Sequence, residues 1–80
     1  MRFFDVYVRP EIETAIYNGF KTVRVVIEDL AKPNVTSENM QTLKAYIENN
    51  IKIGNKRPKC TMNTKNDILY KSYILNIDWR

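Results

Sequence analysis

Four apolar residues at helical spacing, Met40, Leu43, Ile47 and Ile51, constrain this chain more than any other feature. Steps of three and four residues bring side chains to one face of an α-helix, which turns once every 3.6 residues. Thr36 stands just ahead of the stripe as an N-cap, Glu38 suits the positive end of the helix dipole, and Val35 is placed to staple onto Met40. Together they predict a helix over residues 37–50, with Tyr46 at the margin of its apolar face. Such a helix needs a surface to cover. In 80 residues that surface has to come from the rest of a single domain, residues 1–80.

The flanking segments read as strands. Asn18-Gly19 suits a two-residue type I′ turn, in which both central residues take positive φ. Before it, Phe4, Val6, Val8, Pro10, Ile12, Thr14 and Ile16 share one parity, and after it Val23, Val25 and Ile27 return on the same side. The expectation is a β-hairpin over residues 1–30 that pairs Ile12 with Val25, Thr14 with Val23 and Glu13 with Arg24, with Pro10 at an edge or bend. The competing possibility is a short helix over 11–17 with Gly19 just beyond its end. The β-branched and aromatic residues there favour the hairpin.

Residues 29–35, with Pro33-Asn34, form a loop. After the helix, Gly54-Asn55 marks a turn, residues 56–64 a short polar edge strand, and Thr64-Lys65-Asn66-Asp67 a second turn. Leu69, Tyr73, Leu75, Ile77 and Trp79 then alternate as a last strand. The expected fold class is α+β. It has a small antiparallel sheet of about four strands, ordered β-β-α-β-β, packed against one amphipathic helix.

Several chemistries have no residues to run on. With no histidine, the commonest general base near neutral pH and the commonest metal ligand are missing. One cysteine, Cys60, cannot build a zinc site or an internal disulfide, and two glycines supply no phosphate-cradling loop. Lys56, Arg57 and Lys59 close to Cys60 could lower its pKa, but without a partner base the thiol reads as a half-buried strand residue. We therefore expect no enzyme, no catalytic residues, no cofactor and no metal. The first residues do not resemble a signal peptide and no apolar run reaches the roughly 20 residues of a membrane span. The expected location is the cytoplasm, that of a host cell if the origin is viral. Asn, Ile and Lys make up about a third of the chain, a bias common in AT-rich phages and mobile elements.

Charge carries the functional signal. Residues 1–51 hold six basic and seven acidic side chains, whereas residues 52–80 hold seven basic and two acidic. Clustered charge of one sign steers opposite charge toward it. Lys52, Lys56, Arg57, Lys59, Lys65 and Lys71, interrupted only by Asp67, form the candidate binding segment for an acidic protein surface or for nucleic acid. The outer face of the hairpin adds a possible aromatic contact set, Tyr7, Tyr17, Phe20 and Arg24, suited to a protein interface, a homodimer seam or stacked bases. The expectation is a small non-enzymatic binding protein, an accessory or inhibitory factor of phage or mobile-element type. It would act as a homodimer and engage a larger partner through its basic surface. The alternative is an RNA- or DNA-binding module that uses residues 52–71 with the hairpin aromatics.

Overall fold

The computed structural model describes residues 1–80 and is α+β. The elements are α1 (Arg2–Tyr7), α2 (Arg9–Tyr17), β1 (Thr22–Glu28), α3 (Ser37–Asn50), β2 (Lys59–Asn66) and β3 (Lys71–Asp78). The strands form one antiparallel sheet in the order β1-β3-β2. The most buried strand, β3, takes the centre, where both of its edges are paired.

The expected helix forms over the expected residues. Thr36 is extended and its Oγ1 accepts a hydrogen bond from the Asn39 amide at 3.1 Å, so the cap works as its sequence position implies. Met40, Leu43 and Ile47 are fully buried and Val35 nearly so. Facing them from the sheet are Val25 and Ile27 of β1, Tyr73, Leu75 and Ile77 of β3, and Cys60 of β2. The alternation expected for the last strand holds from Tyr73 to Trp79, whereas Leu69 lies outside the strand and is exposed.

The N-terminal hairpin is absent. Residues 2–17 are helical, so the sheet has three strands, three helices replace one, and the pairs Ile12–Val25, Thr14–Val23 and Glu13–Arg24 do not form. The physical reason is a second periodicity in the same residues. Phe4, Val8, Ile12 and Ala15 are spaced four, four and three apart, and these four are the buried ones, while Val6, Pro10, Thr14 and Ile16 face solvent. Pro10 lacks an amide and cannot bond back to Val6, and the helix breaks at Val8 into α1 and α2. Asn18-Gly19 ends α2 rather than turning a hairpin. Gly19 has φ +79°, its amide donates to the Ile16 carbonyl at 3.0 Å, and the Phe20 amide donates to the Ala15 carbonyl at 2.9 Å. That double bond pattern is the Schellman motif, which needs positive φ at the same residue as a type I′ turn does.

The second turn also shifts. β2 keeps pairing through Asn66, opposite Lys71, and the chain reverses at 67–70, closed by a 2.8 Å bond from the Asp67 amide to the Tyr70 carbonyl. An edge strand can be polar because its backbone bonds hold it, and Thr64 to Asn66 are exposed.

Candidate basic interface

The sheet has an inner face under the helices and an outer face with nothing packed on it. Alternate residues along each strand divide between the two. The register aligns outer-face residues in rows across β1, β3 and β2: Thr22, Asp78 and Lys59, then Arg24, Asn76 and Thr61, then Val26, Ile74 and Asn63, then Glu28, Ser72 and Lys65. No aromatic side chain lies in these rows.

The same register sorts the charges by end. The starts of β1 and β2 lie beside the end of β3, and the loop leaving α3 arrives there. This places Lys21, Lys56, Arg57, Lys59 and Arg80, all exposed, around Asp78, with the Glu48 carboxylate, paired to Lys44, reaching the Cys60 amide behind them. At the opposite end Lys65 and Lys71 stand among Glu28, Asp29 and Asp67, so the sign reverses. Eight-residue strands separate the two ends by roughly 25 Å, more than two Debye lengths at physiological salt.

Individual groups at the basic end are held in place. The Arg57 Nη1 donates to the Asn49 carbonyl at 2.7 Å, tying the loop to the last turn of α3, where cations are favoured. Ile53 and Lys56 exchange backbone bonds of 2.9 and 3.2 Å around Gly54-Asn55, and Gly54 takes φ +63°, so the expected turn is present. Arg80 clasps Asp78 with contacts of 2.7 to 3.2 Å, and these hydrogen bonds hold the Asp78 carboxyl down at about 2, with Lys59 adding a smaller electrostatic pull. Lys52 is exposed beside a groove of about 390 Å³ lined by Phe4, Ile12 and Ile16.

The six basic residues singled out from the sequence therefore do not make one patch. Lys56, Arg57 and Lys59 come together. Lys65 is on the same face as Lys59 but at the far end, and Lys71 points to the helix side, its Nζ 5.4 Å above the Tyr73 ring and 3.4 Å from the Ser37 Oγ. Lys21 and Arg80 join the cluster although the sequence reading assigned them no role. Only strand pairing brings them there, and their membership in the total charge was the sole hint.

The aromatic set also divides. Tyr7, on α1, packs against Phe3 with tilted rings 4.8 Å apart and lies under the Lys32 Nζ, in a groove of about 610 Å³ between α1 and residues 31–35. Tyr17 is 90% exposed and Phe20 60% exposed on either side of Gly19, next to Lys21 and hence beside the basic end. Arg24 is on the outer sheet face, away from Tyr7. Without the hairpin no single surface holds all four.

Cys60 corrects another expectation. It is buried rather than half-buried, and burial, reinforced by the nearby Glu48 carboxylate, pushes its thiol up to about 11 despite the lysines beside it in sequence. Lys59 points to the outer face and Cys60 to the core, so adjacency along the strand does not bring charge to sulfur. Glu48 is held below the usual carboxylate range by its 2.9 Å hydrogen bond from Lys44.

No three Cys, Asp or Glu side chains converge to hold a metal ion, and no helix is long and apolar enough to cross a membrane. What the fold and its charged end define is a three-stranded α+β domain with helices on one sheet face, the other face open and a basic pole. The chain matches no family model, and neither a curated protein nor a solved structure matches it significantly.

Proposed function

We propose that this protein is a non-enzymatic binding factor, accessory or inhibitory, that covers or bridges an acidic surface on a larger protein. In this proposal its homodimer presents two basic ends. The observation that carries the proposal is the grouping of Lys21, Lys56, Arg57, Lys59 and Arg80 at one end of the sheet, with exposed Tyr17 and Phe20 alongside. Aromatics with arginine and lysine form the composition of an interface whose charge sets the approach and whose rings supply the contact. A second reading is nucleic-acid binding, favoured by the same two exposed rings beside cations. The outer sheet face has no aromatic on which to stack bases, so we place it second.

A pull-down from the native host, run with and without nuclease, separates the two. The expected result is a protein recovered in both conditions by the wild type and lost with Lys56→Glu/Lys59→Glu. Recovery of nucleic acid alone, abolished by nuclease, favours the second reading. Equal recovery by wild type and variant refutes both, because neither survives without the basic end.

A further inference from the structure

The outer edge of β1 is an unpaired strand whose pattern fits a second copy of itself. The Trp79 amide donates to the Lys21 carbonyl at 3.0 Å and the Asp29 amide to the Lys71 carbonyl at 2.9 Å. These bonds fix which residues of β1 face β3: the odd-numbered ones, since hydrogen-bonded pairs recur at every second residue of an antiparallel ladder. The amides and carbonyls of Arg24, Val26 and Glu28 consequently point away from the sheet, toward solvent. Arg24 and Val26 are exposed, Glu28 is half-buried, and neither charge takes part in an ion pair within the chain.

We propose that two copies join edge to edge through β1, antiparallel, about a twofold axis at Val26. This register meets the backbone requirement, because Val26 opposes Val26 and Arg24 opposes Glu28 of the partner, all residues whose polar backbone groups point outward. About six new main-chain bonds form. On the open face the two valines touch across the axis, flanked on both sides by an Arg24–Glu28 pair. Shifting the register by one step on each strand, to an axis at Val25, opposes Arg24 with Val26 and Glu28 with Thr22, and both charge pairs are lost. The other edge is less suited: pairing β2 with itself about Met62 sets Lys59 against Lys65 twice, the kind of like-charge placement that guards an edge. The product is a continuous six-stranded sheet with all helices on one face. Its twofold axis stands perpendicular to the sheet, so the two basic ends point in opposite directions. The inference deepens the homodimer named above by giving it a seam, and that seam does not involve the basic end.

Sedimentation equilibrium on the whole protein over a range of concentrations tests it. The wild type is expected to dimerise reversibly. Arg24→Glu and Glu28→Arg should each weaken the dimer by about tenfold or more, since each change sets two like-charge pairs across the axis. The double variant, which restores both pairs in reversed order, should return the dissociation constant to within about threefold of wild type. Circular dichroism and melting of each variant establish that it is folded. A wild type that stays monomeric at about 1 mM overturns the proposal. So does a dimer that neither single swap weakens, or one that the double swap fails to rescue. Loss of the seam with the Lys56/Lys59-dependent pull-down intact leaves the partner-binding proposal standing, and the reverse result leaves the seam standing.

Discussion

The two faces of β3 behave as though they belonged to different proteins. Tyr73, Leu75 and Ile77 point under the helices and are buried, while Ile74, Asn76 and Asp78, alternating with them on the same strand, are half open to water; Ser72, at the far end of that outer face, is the one buried there. The inner face is aliphatic and continues across the sheet as Val25, Ile27 and Cys60. The outer face is mostly polar and charged, with Val26 and Ile74 its only aliphatic side chains. The division teaches where each kind of information is stored. Apolar area removed from water holds the domain together, and that area lies on one side. The other side is free to carry charge, since little of the fold depends on it.

The largest expected effect tests that division directly. Leu75→Ala removes a fully buried side chain from the centre of the sheet and should cost about 2–5 kcal/mol, read as a lower urea midpoint. Asn76→Ala, one residue along, should cost less than about 1 kcal/mol. Similar costs at both positions would mean that the outer face is covered, and the comparison would collapse. A smaller effect belongs to Gly19→Ala. A methyl group there meets no atom within 4 Å, so its cost is the positive φ alone, about 1 kcal/mol, and a neutral result would show that the Schellman cap is not formed.

How far the sequence could be read follows from the same division. The helix over 37–50 was legible because only one period fits Met40, Leu43 and Ile47, and because Thr36 caps it. The segment 2–17 was not, because Phe4, Val8 and Ile12 satisfy period two and period four at once. Ala15 breaks the tie in favour of a helix, and it is buried. Asn18-Gly19 did not help, since a hairpin turn and a helix terminus both need a glycine at positive φ. For the site, the segment rich in cations was visible and its geometry was not. Lys59 and Lys65 look equivalent along the chain, and only the register shows that one joins Lys21 and Arg80 while the other shares the end of the sheet that holds Glu28. Long-range pairing leaves no local trace in the side chains at the strand ends.

Cys60 offers a test of the boundary between the faces through pH. Its buried thiol keeps its proton up to about 11, whereas the unfolded chain releases it near 9.0. The native state therefore binds more protons than the unfolded state between these values. Stability from this group is complete below pH 9 and declines as pH rises toward 11, by on the order of 1 kcal/mol. Comparing the alkaline limb of the denaturation curve with that of Cys60→Ala isolates this contribution. Parallel limbs would place the sulfur in water and Cys60 on the wrong face.

The smallest effect on stability is also the sharpest for function. Lys59 and Lys65 share a residue type, a strand and a face, and both are exposed. Replacing either with alanine should change stability by no more than about 0.5 kcal/mol. Their surroundings differ in sign. Lys59 adds to Lys21, Lys56 and Arg57, and the nearby acids are already paired, Asp78 with Arg80 and Glu48 with Lys44. Lys65 sits in the row that ends in Glu28, with Asp67 two residues ahead. Association with an anionic partner should therefore slow in Lys59→Ala and become less sensitive to salt, while Lys65→Ala keeps the wild-type rate and salt slope. Arg57 is the poorer choice for this test, because its bond to the Asn49 carbonyl mixes a structural loss with the electrostatic one. Equal slowing by the two lysine variants would show that the partner lies along the whole outer face rather than at its basic end.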